Sequence, residues 1–250
     1  MKKILSLLAI AAMVCMAASC NKEKKNKPHD GGDDVEYNAP IQIDGNFADW
    51  ALLGDKVTSC SSLMEEGNDL KEMKVYADEY YVYVYLKYNF VPDPTWEGDL
   101  NHVVVCTFIN TDNDIDTGGY IGKWDQNIQD GEETISKPCF DVMTYDAVFD
   151  AGQWEHGTSW IGTFTWEAAP NTDGWTWTEQ EAEDFGISNG TDKEYELAIC
   201  RELNPKGKWS DEFTIAVGIQ CGSWDSTGWL PDAATGYAKP LTIKTDKSAL

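Results

Sequence analysis

Residues 80–88 read Tyr80-Tyr81-Val82-Tyr83-Val84-Tyr85-Leu86-Lys87-Tyr88, and this stretch decides the fold class. Successive side chains of a strand point to opposite faces. Tyr81, Tyr83 and Tyr85 therefore share one face, and Val82, Val84 and Leu86 share the other. Neither face is polar, which marks a central strand covered on both sides. Upstream, Leu70 to Ala77 alternates, with Met73, Val75 and Ala77 on one face. Asp78-Glu79 between the two runs is a short polar connection, so the pair reads as a β-hairpin.

The same period continues downstream. Val103 to Ile109, Phe140 to Phe149, Ser159 to Trp166 and Glu194 to Cys200 are apolar or alternating runs, and Phe213, Ile215, Val217 and Ile219 alternate with Thr214, Ala216, Gly218 and Gln220. Ile41 to Ile43 is a short strand before Asp44-Gly45, and Leu241 to Lys244 is a closing edge strand. Helical signals are confined to one turn over Phe47 to Leu53 and another over Glu179 to Phe185. Many strands separated by Gly- and Asp-rich loops predict an all-β fold: a single antiparallel β-sandwich, jelly-roll or immunoglobulin-like, with few helical turns. No repeat of fixed period and no internal linker divides residues 40–250, so they form one expected domain.

Composition excludes several function classes. The 250 residues hold 19 Lys and Arg against 43 Asp and Glu, a net charge of −24. The one arginine is Arg201. Nucleic-acid binding needs Lys and Arg to neutralise phosphates, so such a partner is excluded. Hydrophobic residues at 42% are too many for a disordered acidic chain.

Residues 1–19 read as a signal peptide. Lys2 and Lys3 precede a stretch from Ile4 to Met16 that is almost wholly apolar, too short to span a bilayer. Ala17, Ala18 and Ser19 then precede Cys20, an arrangement that resembles the lipoprotein box of Bacteroidetes-type lipoproteins. The resemblance implies that Cys20 is lipidated and opens the mature chain, with Ala17 where the family pattern prefers Leu. Loss of residues 1–19 removes two lysines and no acid, taking the charge to −26. A surface so negative repels anionic lipid, so membrane attachment is expected through the lipid alone. Residues 20–39 are polar, with Pro and Gly, and read as a flexible tether. The expected address is the outer membrane. Asn21, Lys22, Glu23, Lys24 and Lys25 follow Cys20 where surface-exported relatives carry acids, so the membrane face is left open between surface and periplasm.

The domain also resembles a family. Ile43-Asp-Gly-Asn-Phe-Ala-Asp-Trp50 opens it, the YVYVYL strand follows about thirty residues later, Asn110-Thr-Asp-Asn-Asp-Ile-Asp-Thr-Gly118 follows an apolar strand, and Tyr195-Glu-Leu-Ala-Ile-Cys-Arg201 precedes the FTIAVGIQ strand. In this order the pieces resemble the carbohydrate-binding module family 9-like fold. That resemblance implies one β-sandwich, a structural calcium and sugar binding through aromatic side chains, without fixing a ligand. From the residues alone, Asp44-Gly45 is a turn in which Gly takes positive φ, Asp49 can cap the following turn, and Trp50 is a core anchor.

Three kinds of site are expected. Asp112, Asp114 and Asp116 alternate in one loop, as the front half of a calcium loop does, and calcium takes six to eight hard oxygens. Thr117 and Lys123 stand where an EF-hand has Gly and Glu, so further ligands must come from elsewhere, with Asp125 and the carbonyls near Gly118 or Gly119 as candidates. Eleven tryptophans suggest a sugar platform, since indole faces stack on sugar C–H faces. Trp175 and Trp177 lie two apart among Thr, Asp and Gly, and Trp124 follows the acidic loop. Trp154, Trp224 and Trp229 lie in Gly-, Asp- or Ser-rich segments, while Trp160 and Trp166 read as core. Catalysis has little support: His29 lies in the tether, His102 and His156 stand near no nucleophile motif, and acids such as Glu65-Glu66 and Glu132-Glu133 read as solvated charges.

Five cysteines remain after Cys15 and Cys20: Cys60, Cys106, Cys139, Cys200 and Cys221. The sequence pairs none of them, and Cys106 and Cys200 read as small core residues. The expectation is a lipid-anchored, calcium-stabilised, non-catalytic protein that binds a poly- or oligosaccharide. A structural or adhesive envelope protein with a protein partner is the alternative, and a glycoside-acting enzyme the more distant one.

Overall fold

The structure is a computed structural model. It describes residues 37–91, 102–114, 117–119, 126–130, 133–137, 140–150, 153–154, 159–166, 177–180, 185–203, 209–221, 226–233 and 238–248. The expectations for residues 1–36, Cys20 included, and for Asp116, Trp124, Asp125, Cys139, His156, Trp175 and Trp224 lie outside these residues.

The chain folds as an all-β sandwich. After a short helix, α1 (Asp49–Leu52), and one 3₁₀ turn (Gly54–Lys56) come β1 (Thr58–Ser61), β2 (Leu70–Ala77), β3 (Tyr81–Tyr88), β4 (His102–Asn110), β5 (Gln126–Asp130), β6 (Glu133–Lys137), β7 (Val142–Asp150) and β8 (Gln153–Trp154). There follow β9 (Ser159–Trp160), β10 (Gly162–Trp166), β11 (Trp177–Glu179), β12 (Gly186–Gly190), β13 (Glu194–Cys200), β14 (Glu212–Cys221), β15 (Ser226–Leu230) and β16 (Leu241–Lys244). One sheet has six strands in the order β1-β2-β3-β13-β12-β9. The other has eight: β11-β10-β7-β4-β14-β15 in line, with β16 also on β14 and β8 on β7. β5 and β6 form a separate hairpin. All pairings are antiparallel.

The central position expected of YVYVYL is realised, because β3 pairs β2 on one side and β13 on the other. Val82, Val84 and Leu86 face the second sheet together with Met73, Val75, Leu197 and Ile199. Val103, Val105, Ile109, Val142, Phe213, Ile215, Val217 and Ile219 meet them from the eight-stranded sheet. Full burial of each such side chain contributes about 1.5–3 kcal/mol, and this layer is the main source of stability. A carboxylate sits within it. Asp146 Oδ2 accepts from Ser188 Oγ at 2.5 Å and from Tyr195 Oη at 2.8 Å, a cross-sheet bridge between β7 and the β12–β13 pair.

Several local expectations are corrected by tertiary contacts. Ile41 to Ile43 is not a strand, because its surroundings are side-chain carboxylates: Gln42 N donates to Asp49 Oδ2, and the next amides go to Glu196. For the same reason Asp49 does not cap α1, which has no side-chain cap. Ser159 to Trp166 is two strands, since the chain leaves β12 of one sheet at Trp160 and joins β7 of the other at Gly162. Glu179 ends strand β11 opposite Phe164 and is not helical. Packing also begins before residue 40. Tyr37 donates to Asp78 Oδ2 at 2.5 Å, shares a 2.8 Å hydrogen bond with Tyr83, and lies 4.8 Å from the Tyr80 ring.

Arg201 staples one end of the sandwich. Its guanidinium donates to the carbonyls of Asp78 and Ser210 and to Thr245 Oγ1, and it lies over Trp209 at 5.3 Å and Phe213 at 5.7 Å. The one arginine of the chain is thus used inside the fold.

Candidate functional site

The outer faces of the two sheets differ. The outer face of the six-stranded sheet carries Tyr76, Tyr83, Tyr85 and Ala198, and Ile41 and Trp50 of the N-terminal segment pack directly onto them. The segment is pinned by Glu196, which is fully buried. Its Oε1 accepts from Asp44 N at 3.1 Å and Gly45 N at 2.9 Å, and its Oε2 from Trp50 Nε1 at 3.2 Å. Burial raises the Glu196 carboxyl above its ordinary value, with the three donors pulling the other way. This explains the IDG…DW opening: Gly45 takes φ +78°, which turns its amide onto the carboxylate, and Trp50 is core as expected.

The outer face of the eight-stranded sheet carries a second buried apolar layer: Val104, Cys106, Phe108, Phe140, Met143, Trp166, Trp177 and Ala216, with Ala238 packed on it. Its lower end is covered by the acidic loop. Gly119 bridges to Phe140, and a Cβ on Gly119 would stand 2.3 Å from the Trp166 ring, so only glycine lets the loop lie there. Trp177 packs edge-to-face on Trp166 at 5.3 Å and is 8% exposed. Trp177 is therefore not a displayed platform: β11 turns it onto Trp166. Trp154 and Trp229 are not loop residues but lie in β8 and β15, both half-buried.

Above this covered end, the register brings five residues into one row across five strands. Gly162 pairs Tyr145, Tyr145 pairs Cys106, Cys106 pairs Gly218, and Gly218 pairs Trp229. Two small residues, Cys106 and Gly218, thus lie between two half-buried aromatic side chains. At about 4.8 Å per strand, Tyr145 and Trp229 stand roughly 14 Å apart along the row. Gln220, one step along β14 from Gly218 on the same face, receives the Cys106 thiol at 3.9 Å. Burial pushes the Cys106 thiol up to about 12, so it is no nucleophile.

The Trp229 end of the row is rigidly held. Asn68 Nδ2 donates to Trp229 O at 2.8 Å, and Trp229 N donates to Asn68 Oδ1 at 3.1 Å. Asp232 accepts from Asn68 Nδ2, Ser62 Oγ and Leu63 N. Burial alone would raise the Asp232 carboxyl, but these donors outweigh it and hold the group below its ordinary value. A Cβ on Gly228 would stand 2.7 Å from Leu70 N, which leaves β15 no room to shift.

The acidic loop is the expected cation site. Asp112 accepts from Asp114 N at 2.9 Å and from Thr117 Oγ1 at 3.0 Å, and Asn113 takes φ +58°. Asp114 is exposed, and no cluster of three or more His, Cys, Asp or Glu suited to a metal exists among the described residues. One observation favours a cation. Asn110 is 1% exposed and donates to Asp114 O at 3.2 Å, while its own Oδ1 is buried without a hydrogen-bond partner among the described residues. A buried orphan oxygen beside a loop of acids is the donor type that calcium takes. Cys60 and Cys106 carry free thiols.

Sequence reading named Trp229 only as one tryptophan among several, and it missed Tyr145, Gly218 and Gln220. The signal that places them together is cross-strand register, which no local pattern carries. No family model matches the chain, and no curated protein matches it. The family 9-like resemblance thus rests on its four motifs alone.

Proposed function

We propose that this chain is a lipid-anchored envelope protein whose eight-stranded sheet binds a carbohydrate on its outer face, without catalysis. The observation that carries the proposal is the row Tyr145–Cys106–Gly218–Trp229: two aromatic side chains flanking a floor of small residues on a rigid sheet. A pyranose ring stacks on Tyr and Trp faces, here the half-buried Tyr145 and Trp229 above the buried Cys106 and Gly218, while the half-buried Gln220 and the Tyr145 hydroxyl offer hydrogen bonds to sugar hydroxyls. The lipid on Cys20 and the polar tether would hold this face clear of the membrane.

The test is affinity electrophoresis of residues 21–250, which include every described residue, through gels containing polysaccharides, with calcium present. At least one glycan is expected to retard the protein. Trp229→Ala and Tyr145→Ala should each abolish retardation while leaving the melting temperature within a few degrees. Trp177→Ala should instead lower the melting temperature, because it opens the layer against Trp166. Free migration in every gel would move the reading to an envelope protein with a protein partner.

Calcium is the second part of the proposal, with Asp112, Asp114, Asp116 and Asn110 as its oxygen donors and a structural role. A ligand that binds only the folded state raises stability by mass action. Calcium should therefore raise the melting temperature, chelation should reverse the rise, and Asn110→Ala should abolish it. A melting temperature indifferent to both calcium and chelator would remove the metal from the proposal.

A further inference from the structure

One edge of the eight-stranded sheet is closed by a side chain. Among the described residues, β15 pairs with β14 on one flank and with no strand on the other. The open flank of such a strand offers amides and carbonyls with which a strand of another molecule can pair. Sheet edges are commonly guarded by Lys, another charge or Pro, and β15, Ser-Thr-Gly-Trp-Leu, holds none of these. Its pairing over Gly228 to Leu230 is regular, because the register shift lies towards Ser226. What stands on the flank is Asn68, which is 2% exposed. Its Oδ1 accepts from Trp229 N at 3.1 Å, and its Nδ2 donates to Trp229 O at 2.8 Å. Next to it, Asp69 N donates to Thr227 O at 3.0 Å. A carboxamide carries the acceptor and the donor of a peptide group. Asn68 thus makes with Trp229 the pair of bonds that a residue of a further antiparallel strand would make.

We propose that Asn68 is an edge guard: its carboxamide occupies the place where a strand of a second copy of this chain would add to β15, and so keeps the sheet from extending between molecules. The partner excluded is a second copy because every copy offers the same edge, and two identical edges can pair antiparallel about a two-fold axis. The guard is itself fixed. Leu70 N donates to its Oδ1 at 3.0 Å, and its Nδ2 donates to Asp232 Oδ2 at 2.7 Å. A Cβ on Gly228 would stand 3.0 Å from Asn68 Oδ1 and 3.1 Å from Asp69 N, so the glycine lets the guard lie close against the strand.

The test is sedimentation of the full chain in density-matched non-ionic detergent over a wide range of concentration, with hydrogen exchange read at the Trp229 amide. Asn68→Ala should associate beyond the wild type as concentration rises. At low concentration its Trp229 amide should exchange roughly tenfold faster, because a hydrogen bond is lost, and association should restore the protection. Asn68→Ser, which keeps an oxygen for Leu70 N but cannot bond both groups of Trp229, should behave in the same way and serves where Asn68→Ala does not fold. Trp50→Ala, which destabilises the other face, should sediment as the wild type does, and this separates edge pairing from association through partial unfolding. Asn68 variants that sediment as the wild type does would overturn the proposal. So would a Trp229 amide that exchanges no faster in them, or a Trp50→Ala protein that associates as much.

Discussion

The outer faces of the two sheets begin from the same kind of sequence and end differently. β3 and β4 are both apolar on both faces, so each sheet needs a second cover beyond the shared core. On the six-stranded sheet, the cover is the chain's own N-terminal segment, locked by three donors on the buried Glu196. On the eight-stranded sheet, the acidic loop covers the end near Trp166 and Ala238 packs on the layer as well, so the small residues between Tyr145 and Trp229 are buried and the two aromatic side chains flank them half-buried. One buried carboxylate makes a face structural. A run of Gly and Cys at matched register lets the cover of the other face lie close. The lesson is that the apolar content of a face does not tell whether it is core or site; the residue that holds its cover does.

That contrast predicts a hierarchy of effects. The largest belongs to the structural face. Trp50→Ala removes an anchor that is 4% exposed, and a loss of about 3–5 kcal/mol is expected by denaturant titration. Glycan retention by the protein that remains folded should be unchanged; its loss would mean that the two faces are coupled, and the comparison would break.

The next effect joins the site to its support. Gly228→Ala forces a methyl group against Leu70 N, where 2.7 Å is available. Overpacking of this kind costs about 1–3 kcal/mol. Because β15 must move to relieve it, glycan retention should fall with stability, unlike in Trp50→Ala. Normal retention would show that the position of Trp229 does not matter to the ligand.

A smaller effect, with a distinctive pH signature, is expected at Glu196→Gln. The amide cannot accept at both ends, so one donor among Asp44 N, Gly45 N and Trp50 Nε1 meets an N–H and about 1–3 kcal/mol is lost. The wild-type carboxyl is raised above its ordinary 4.5 by burial. Its folded form therefore binds its proton more tightly than its unfolded form. The contribution is full below the ordinary value and is lost as pH rises through the raised one. The advantage of the wild type over Glu196→Gln should thus be greater near pH 4 than near pH 7. An advantage that grows with pH would reverse the assigned balance between burial and hydrogen bonding.

The smallest effect is chemical. Burial and nearby carboxylates push the thiols of Cys60 and Cys106 up to about 12. Native protein at pH 8 should therefore react with iodoacetamide at neither site within the time that unfolded protein is fully alkylated, as peptide mapping would record. Rapid alkylation of Cys106 would mean that the floor of the row opens to solvent, a way to sharpen the contrast between the faces.

Much of the fold was legible beforehand. The strands from Leu70 to Tyr88, Val103 to Ile109, Glu194 to Cys200 and Phe213 to Ile219 follow from period 2 alone, because alternation is set within a strand. The turn at Asp44-Gly45 and the burial of Trp50 were legible for the same local reason. Ile41 to Ile43 misled because the Gln42 amide goes to the Asp49 side chain and the next residue, Asp44, donates to Glu196, 152 residues away. Ser159 to Trp166 misled because a strand that changes sheets keeps its period while it changes partners. Trp177 misled because a polar setting in sequence places no constraint on the ring beneath it.

What the sequence determined by itself was therefore the class of the fold, the acidic field and the scarcity of guanidinium groups. These properties are local or summed, and neither depends on register. What only the tertiary structure decided was which aromatic residues meet. Gly162, Tyr145, Cys106, Gly218 and Trp229 span 123 positions of the chain yet stand side by side, because antiparallel pairing aligns strands by their hydrogen-bond ladders and not by their order. Glu196 became the lock of one face for the same reason: its three donors come from a segment about 150 residues earlier, and a carboxylate buried without them would cost more than the fold could bear.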